Sequence, residues 1–304
     1  MDVRRLGVLR ELSERGSVGA VADAMRVTSS AVSQQLKVLE REAGVPLVEP
    51  AGRGVALTSA GRELARVATD LAVAIEHAEA RWRTFVQQPA GDVTLTTFPT
   101  GGEMFLPGLL RRLEGAAVTL VCTDQDSALV DFADLTPDHD VVVADSATTS
   151  ASWHDRGLRV VPLMTEPLDV ALPEDHRLAG RATLSPRDVV GEDWIGVPTD
   201  LPFDRILEQI VASTGERVRV RHRFHDNSIV EAMVAAGHGL GILPRFTTRD
   251  HVNGLVTRPL VGIRASRQVS ALLRPDLFER PSVRLVVQAL REEARAVADS
   301  HGAV

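Results

Sequence analysis

The sequence predicts an α/β protein that begins with a helical segment. Through about residue 87, apolar residues recur at three- and four-residue intervals, the spacing of helices that bury one face. Beyond residue 91, short apolar runs alternate with helical patterns. That alternation indicates α/β units around open, largely parallel sheets. Residues 87–91, with Pro89 and Gly91, separate the two patterns and are typical of a linker.

Composition excludes several classes of protein. The 304 residues suffice for two or more buried cores. No apolar run approaches the ~18 residues of a membrane span, and the first residues lack the apolar core of a secretory signal. Cys122 is the only cysteine, so neither an intrachain disulfide nor a cysteine metal cluster can form. We therefore expect a cytoplasmic protein without a membrane partner, metal or cofactor.

Charge is unevenly distributed along the chain. The net charge is −7, but residues 1–66 hold ten Lys and Arg against eight Asp and Glu, a balance of +2 that leaves −9 for the remainder. A mildly basic N-terminal segment followed by an acidic remainder is compatible with a nucleic-acid-binding domain joined to a second domain. Surface charge alone decides little about partners.

Three helices are predicted before residue 44. Gly16 ends the first and Gly44 the third, while the Ser17 and Thr28 hydroxyls can cap the second and third. The apolar stripes of the three helices are Val3, Leu6, Leu9 and Leu12; Val18, Val21, Ala22 and Met25; and Ala31, Val32, Leu36, Leu39 and Ala43.

Residues 16–43 have the geometry of a helix-turn-helix. In such a unit the second helix enters the major groove and presents its N-terminal side chains to base edges. Gln pairs with adenine and Lys with guanine, while Ser is less selective. The alternative is a polar face that only meets solvent, but such a face would carry more Glu and Lys. The predicted contacts from this helix are Thr28, Ser29, Ser30, Ser33, Gln34 and Lys37.

A hairpin and a long helix follow. Residues 47–57 hold two short β-like pieces around a Pro/Gly turn, and Thr58 can cap the next helix. That helix has an apolar seam with heptad spacing, which favours pairing with a second copy of the chain over packing on its own domain. The seam consists of Leu64, Ala68, Leu71, Ile75, Ala78, Trp82 and Phe85.

The remaining elements are predicted from residue 93 onward. Strands are expected at 93–98, 118–122, 141–144, 158–163, 168–172, 194–197, 218–224, 240–243, 255–260 and 268–273. Helices are expected at 103–113, 127–135, 203–213, 228–236 and 282–298.

The first 66 residues closely resemble the N-terminal signature of LysR-type transcriptional regulators. The resemblance implies a winged helix-turn-helix, a dimerising linker helix and a C-terminal effector domain with the two-lobed fold of periplasmic binding proteins. The matching residues are Gly16–Val18, Ala22, Met25, Val27, Thr28, Ala31–Ser33, Gln35, Leu36, Leu39, Glu40, Gly44, Val45, Leu47, Gly52–Val55, Leu57, Thr58, Ala60 and Gly61.

The sequence departs from the family pattern at the wing. The family usually has Phe and Arg where this chain has Val48 and Pro50, so one phosphate contact is in doubt. It often has Pro at the position of Ser30, whose hydroxyl could add a contact instead. Arg53 matches a frequent wing residue and is predicted to contact phosphate. Phosphate contacts fix the position of the protein on the duplex, whereas base contacts determine which sequence is bound.

The C-terminal part resembles the family's effector domain more loosely, in stretches such as 162–168, 172–179 and 235–244. The implied organisation is a winged helix-turn-helix at 1–58, a dimerisation helix at 59–88 and an effector domain at 89–304. Lobe I would comprise 92–163 and 266–304, and lobe II would comprise 164–265.

Candidate effector-binding residues follow from that resemblance. Ligands in such folds lie at the C-terminal ends of strands, beside helix N-termini. A helix N-terminus with a nearby Thr favours an anion, so a small carboxylate is the expected effector. Each candidate could equally be an ordinary loop or cap residue. The candidates are Pro99, Thr100, Gly101, Thr123, Ser146, Thr199, Phe224 and Asp226.

Other chemistries find little support. The glycines at 237–241 lie between a helix and a strand, whereas a dinucleotide loop lies between a strand and a helix. His222 and His225, three apart on a strand, point to opposite faces and are unsuited to sharing a metal. No Gly-x-Ser-x-Gly elbow is present, so we expect no catalytic site.

Three hypotheses remain. The leading one is a sequence-specific DNA-binding transcription regulator, controlled by a small-molecule effector between two lobes and forming a homodimer or homotetramer. The second is a DNA-binding regulator that has no small ligand and responds to a partner protein. The third, an enzyme on the two-lobed fold, is the least favoured.

Overall fold

The computed structural model describes residues 1–52, 54–86, 89–125, 131–146, 151–199, 203–248 and 254–302. The chain divides into two units. The first comprises residues 1–91 and 273–284, and the second comprises residues 92–272 and 285–304.

The first unit is a helical domain with a β-hairpin. Its elements are α1 (Val3–Arg15), α2 (Val18–Met25), α3 (Ser29–Ala43), β1 (Val48–Ala51), β2 (Gly54–Leu57) and α4 (Ser59–Val86). Strands β1 and β2 pair antiparallel, with Val48 opposite Leu57.

The predicted helix boundaries in this unit are confirmed. The Ser17 hydroxyl accepts a hydrogen bond from the backbone N–H of Ala20, and that of Thr28 accepts one from Ala31. Gly16 and Gly44 end α1 and α3 in the left-handed conformation, which glycine adopts without steric cost. Local hydrogen bonding therefore sets these boundaries.

One core joins the helices of the first unit. Leu9, Val21 and Leu39 are fully buried at its centre, where α1, α2 and α3 meet. The first part of α4 lies against the same core through Leu64, Ala68 and Leu71. At these three seam positions, the less favoured interpretation of packing on the helix's own domain is correct.

The segment at 273–284 packs on the first unit through an ion-pair cluster. It contains helix α10 (Pro275–Phe278), the tenth α-helix along the chain. The Arg274 guanidinium donates to Glu11 and Glu14, each at 3.1 Å, and Arg10 donates to Asp276 at 3.0 Å. Burial raises the pKa of Glu14, although Arg274 opposes that effect.

The second unit is an α/β structure. Its strands are β3 (Ala90–Thr97), β4 (Ala117–Asp124), β5 (Val141–Ser146), β6 (Arg159–Pro173), β7 (Asp193–Gly196), β8 (Arg219–Arg223), β9 (Leu240–Pro244), β10 (Leu255–Arg258) and β11 (Ser266–Leu273). Its helices are α5 (Pro99–Arg112), α6 (Ala151–Asp155), α7 (Pro186–Val189), α8 (Asp204–Thr214), α9 (Asn227–Ala235) and α11 (Pro281–Ser300), with a 3-10 turn at Phe132–Leu135.

The strands form a sheet in the order β4-β3-β5-β11-β6-β9-β7-β8, and β10 pairs with β6. Pairing is parallel for β3 with β5, β7 with β8 and β7 with β9. It is antiparallel for β5 with β11, β6 with β9 and β6 with β10. The expectation of a largely parallel sheet was wrong, because β11 runs antiparallel to β5, and β6 runs antiparallel to β9 and β10.

Two predicted elements differ from the structure. The expected strands at 158–163 and 168–172 form the single strand β6. Pro167 does not interrupt it, because the fixed φ of proline is compatible with polyproline-like extended backbone, and proline biases the preceding Glu166 towards extended backbone. At the C-terminal end of the helix expected at 127–135, the structure has a 3-10 turn at Phe132–Leu135. Residues 127–130 of that prediction lie outside the described residues.

One core of the second unit surrounds Trp194. That side chain is fully buried in a cluster that also contains Leu168 and Leu172 of β6, Leu240 of β9 and Ile206 of α8. Among the described helices, none combines the length and apolar character that crossing a bilayer requires.

We predict that Gly61→Ala strongly destabilises the first unit. A Cβ at Gly61 would lie 2.0 Å from the carbonyl oxygen of Leu47, so α4 could not keep its contact with the start of the hairpin. Overpacking of this kind costs about 1–3 kcal/mol. Thermal unfolding followed by helix circular dichroism measures the loss.

The matched control for this prediction is Gly19→Ala. Gly19 is also helical, but nothing lies within 4 Å of an added Cβ. Alanine there should leave stability unchanged or raise it by up to about 1 kcal/mol. Equal effects of the two substitutions would contradict the steric explanation.

Candidate nucleic-acid interface and effector cavity

The N-terminal half of α3 presents a polar face. Ser29, Ser30, Gln34 and Lys37 are exposed, and Ser33 is half-buried. Below them Val32, Leu36 and Leu39 turn into the core, so the polar positions are held outward by the apolar stripe of the same helix.

Two of the predicted DNA contacts interact with each other. The Thr28 hydroxyl caps α3, and it also lies 2.9 Å from the Ser30 hydroxyl. Thr28 is therefore engaged in structure, and Ser30 is oriented by it. Ser33, Gln34 and Lys37 lie further along the helix, with about one turn between Ser33 and Lys37. Arg53 lies outside the described residues.

Glu40 attaches the hairpin to α3, a role that the sequence analysis did not identify. Its carboxylate oxygen Oε1 accepts hydrogen bonds from the backbone N–H groups of Leu47, at 2.9 Å, and Val48, at 3.2 Å. Val48 is half-buried against the domain core, whereas Pro50 is exposed. The hairpin is thus anchored at its base to α3.

The seam of α4 divides into two parts. Leu64, Ala68 and Leu71 contact the domain core, but further along the helix Ile75, Ala78 and Trp82 are exposed. Trp82 exposes 67% of its surface and Ile75 exposes 36%. The side chain of Phe85 lies outside the described residues. A row of exposed apolar side chains at heptad spacing is a surface that a second helix can cover.

The second unit contains a cavity of about 1240 Å³. Among the predicted effector residues, Pro99, Thr100 and Asp226 line it. Helix α5 contributes the first two and the start of α9 the third. Other lining residues come from β5, β11 and the region before α8. The cavity therefore lies where several strand ends and two helix N-termini meet, as the fold predicts.

The other predicted effector residues do not line this cavity. Gly101 is buried on α5, where an added Cβ would lie 2.5 Å from the Thr97 hydroxyl. Ser146 ends β5 and is half-buried, Thr123 and Thr199 are exposed, and Phe224 packs against a hydrophobic cluster.

The wall of the cavity contains a buried arginine that the sequence analysis did not identify. The Arg267 guanidinium donates from Nε to Glu166 at 2.6 Å, from Nη1 to Asp145 at 3.0 Å and from Nη2 to Thr100 at 2.8 Å. Its side chain is 3% exposed. Strands β5, β6 and β11 and helix α5 thereby share one hydrogen-bonded cluster.

Aromatic rings enclose the same guanidinium. The Arg267 Cζ atom lies 4.6 Å from the ring centroid of Phe98 and 5.3 Å from that of Phe203. Phe98 precedes α5 and Phe203 precedes α8, so the two rings approach from different parts of the sheet. Both contacts have cation–π geometry, which further stabilises the charge.

The ionisation of the cluster follows from its burial and its partners. Burial alone would lower the pKa of Arg267, but the carboxylates of Glu166 and Asp145 outweigh it and raise that pKa. Burial raises the pKa of Glu166, with Arg267 opposing. Arg267 therefore stays protonated, with its charge directed to protein carboxylates.

The two helix N-termini at the cavity differ in their capping. Asp226 caps α9, accepting from the backbone N–H of Ser228 at 2.8 Å. At α5 the N-cap residue is Phe98, with no side-chain cap, and Pro99 occupies the first turn. Since the Phe98 side chain cannot cap them, the first N–H groups of α5 mark the end of the helix at which an anion would bind.

Family comparisons cover nearly all of the chain. A model described as the bacterial regulatory helix-turn-helix protein, lysR family, matches residues 3–62. A second, described as the LysR substrate binding domain, matches residues 86–295. Among the relatives, the transcriptional activator protein LysR of Escherichia coli is 27% identical over 94% of this chain and 90% of its own.

Another relative, the E. coli transcriptional dual regulator OxyR, is 26% identical over 99% of this chain and 97% of its own. Solved structures share the fold. A full-length OxyR variant from Pseudomonas aeruginosa has a TM-score of 0.61 at 19% identity, covering 96% of this chain and 98% of that one.

Full-length CbnR complexed with its target DNA has a TM-score of 0.54 at 21% identity, covering 97% of this chain and 100% of that one. The substrate-binding-domain model alone spans more than half of the residues. The sequence resemblance noted for residues 1–66 is thereby confirmed, and the chain belongs to the LysR family of DNA-binding transcription regulators, which carry an effector-binding domain.

Proposed function

We propose that this protein recognises a specific duplex sequence through α3 and changes its effect on transcription when a small molecule occupies the cavity of the second unit. The observation that carries this proposal is the exposed Ser/Gln/Lys face of α3 in a chain that also contains a 1240 Å³ cavity. We assign no catalytic step to it, since the family is regulatory.

The α3 face would read base edges. Gln34 and Lys37 lie one turn apart on an exposed face, and both can donate to acceptors in the major groove. Ser29, Ser30 and Ser33 would add shorter contacts, with Thr28 holding the helix start. Arg53 is retained as the proposed phosphate contact of the wing.

The protein would work as an oligomer, at least a homodimer. The exposed part of the α4 seam offers Ile75, Ala78 and Trp82 to a second copy. Ligand binding would then shift the population of dimer or tetramer arrangements and alter the spacing or bend of bound DNA. This mechanism needs only that the ligand bind one arrangement better than another.

The effector would bind near Pro99, Thr100 and Asp226, with Arg267 and its partners as the wall. The uncapped start of α5 favours a carboxylate, so a small acid is the first proposal for its chemistry. Gly101, Thr123, Ser146, Thr199 and Phe224 have no place on the cavity wall and are not proposed as direct contacts.

Peroxide sensing is not proposed. Some relatives carry the name hydrogen peroxide-inducible genes activator. In this chain Cys122 is the only cysteine, and burial raises the pKa of its thiol. A raised thiol pKa reduces the thiolate that oxidants attack, so Cys122 is poorly suited to that role.

We predict that replacing Ser33 and Gln34 with Ala weakens binding to the selected operator by about 10- to 100-fold, because each base-edge contact contributes about 1–3 kcal/mol of discrimination. The operator is obtained by selection from a random duplex pool, and affinity is measured by mobility shift at fixed salt.

Binding to a scrambled duplex should stay nearly unchanged in the same double variant. Ser13→Ala, at an exposed serine on α1, is the matched control and should bind both duplexes as the parent does. An equal loss on operator and scrambled DNA would contradict base reading by α3.

We predict that Ile75→Asp shifts the protein towards the monomer by placing a charge in the apolar seam. Sedimentation velocity measures the distribution. His77→Asp introduces the same side chain on another exposed face of α4 and should preserve the parent's oligomer. If both variants sediment as the parent does, the seam does not form the dimer contact.

A further inference from the structure

Asp145 has one carboxylate oxygen without a hydrogen-bond partner among the residues that the structure describes. Its Oδ2 atom accepts from Arg267 at 3.0 Å, but Oδ1 is buried and accepts from none of these residues. The side chain is 4% exposed and lines the cavity. A buried charged acceptor without a partner is costly, and a donor entering the cavity could satisfy it.

The charge of the cavity wall favours a cationic donor. Among the described residues that line it, four carry carboxylates (Glu103, Asp145, Asp226 and Glu231) and one, Arg267, carries a guanidinium, a net −3 with both lining histidines neutral. Arg267 also directs its donors to Glu166, Asp145 and Thr100. A ligand that is only an anion would meet a repulsive wall.

One feature of the wall does favour a carboxylate. The uncapped start of α5 carries Thr100, whose hydroxyl accepts from Arg267 at 2.8 Å. Thr100 and Asp145 therefore accept from the two terminal nitrogens of the same guanidinium. A ligand with a carboxylate and a neighbouring ammonium group could reach the helix start and Asp145 at once.

We propose that Asp145 binds the primary ammonium group of the effector, which makes an amino acid, rather than a simple carboxylic acid, the ligand class of this cavity. The proposal rests on the proposed function of the cavity as the effector site. The ammonium would donate to Oδ1 of Asp145 in a charge-assisted hydrogen bond, while its carboxylate lies at the start of α5.

The test uses matched compounds and the full-length protein. The proteinogenic L-amino acids are compared with their deaminated acids and decarboxylated amines by thermal shift. A ligand at about a hundred times its Kd raises the Tm of a domain of this size by about 5–10 °C. We expect at least one amino acid to raise the Tm and its deaminated acid to leave it unchanged.

Asp145→Asn then tests the residue. The amide oxygen can still accept from Arg267, but the amide nitrogen presents a donor to the ammonium and the charge is gone. We expect binding of the same amino acid to weaken by about 10-fold or more. Asp175→Asn makes the same change at an exposed aspartate of the second unit that does not line the cavity, and it should change the affinity by less than about 3-fold.

The outcomes separate this inference from the proposed function. If a deaminated acid stabilises the protein as well as its amino acid does, the ammonium site is refuted and the effector cavity stands. If no compound in the three sets changes the Tm, the amino-acid site and the small-acid effector proposed above are both refuted, while DNA recognition by α3 is decided by the mobility-shift experiment. Should Asp145→Asn fail to fold, the comparison of amino acid with deaminated acid in the parent protein decides alone.

Discussion

The buried guanidinium of Arg267 is the constraint on which the effector domain depends. It lies on β11 and donates to groups from β5, β6 and α5, which are 101 to 167 residues distant in sequence. Burying a cation and two carboxylates is expensive, and the cluster is favourable only while all partners are present. Arg267 therefore positions the polar groups of one part of the cavity wall.

The hydrogen bonds of Arg267 also orient polar groups of the cavity before a ligand binds. Phe98 and Phe203 hold the guanidinium between them, and Thr100 and Asp145 are fixed by its hydrogen bonds. Polar groups that are already oriented lose little conformational freedom when a ligand binds, which favours affinity. Arg267 itself is a positioning residue, because its donors are directed to the protein.

Local sequence signals predicted the DNA-binding unit well. Helix starts and ends depend on residues within one turn, so Gly16, Ser17, Thr28 and Gly44 could be interpreted directly. The heptad spacing of α4 predicted an apolar face but not which part of that face is exposed. Periodicity shows that one face is apolar, but not that Leu71 covers the domain core while Ile75 is exposed.

Longer-range features could not be derived in the same way. The sequence signals for the cavity wall were Asp145 after an apolar run and two isolated charged residues, Glu166 and Arg267. No local sequence pattern indicates that charged residues more than 100 positions apart form ion pairs. Likewise, strand β6 continues through Pro167 because extended backbone suits proline, whereas sequence reading treats proline as a boundary.

Arg267 and its carboxylates form one coupled unit. A double-mutant cycle with Arg267→Met and Glu166→Gln measures it, using native-state hydrogen exchange of β5 and β11 in the full-length protein. Arg267→Met alone should lower the opening free energy by about 3–5 kcal/mol, and adding Glu166→Gln should recover at least about 1 kcal/mol, because it removes a buried, unpaired charge. Effects that add to within about 0.5 kcal/mol would contradict the account.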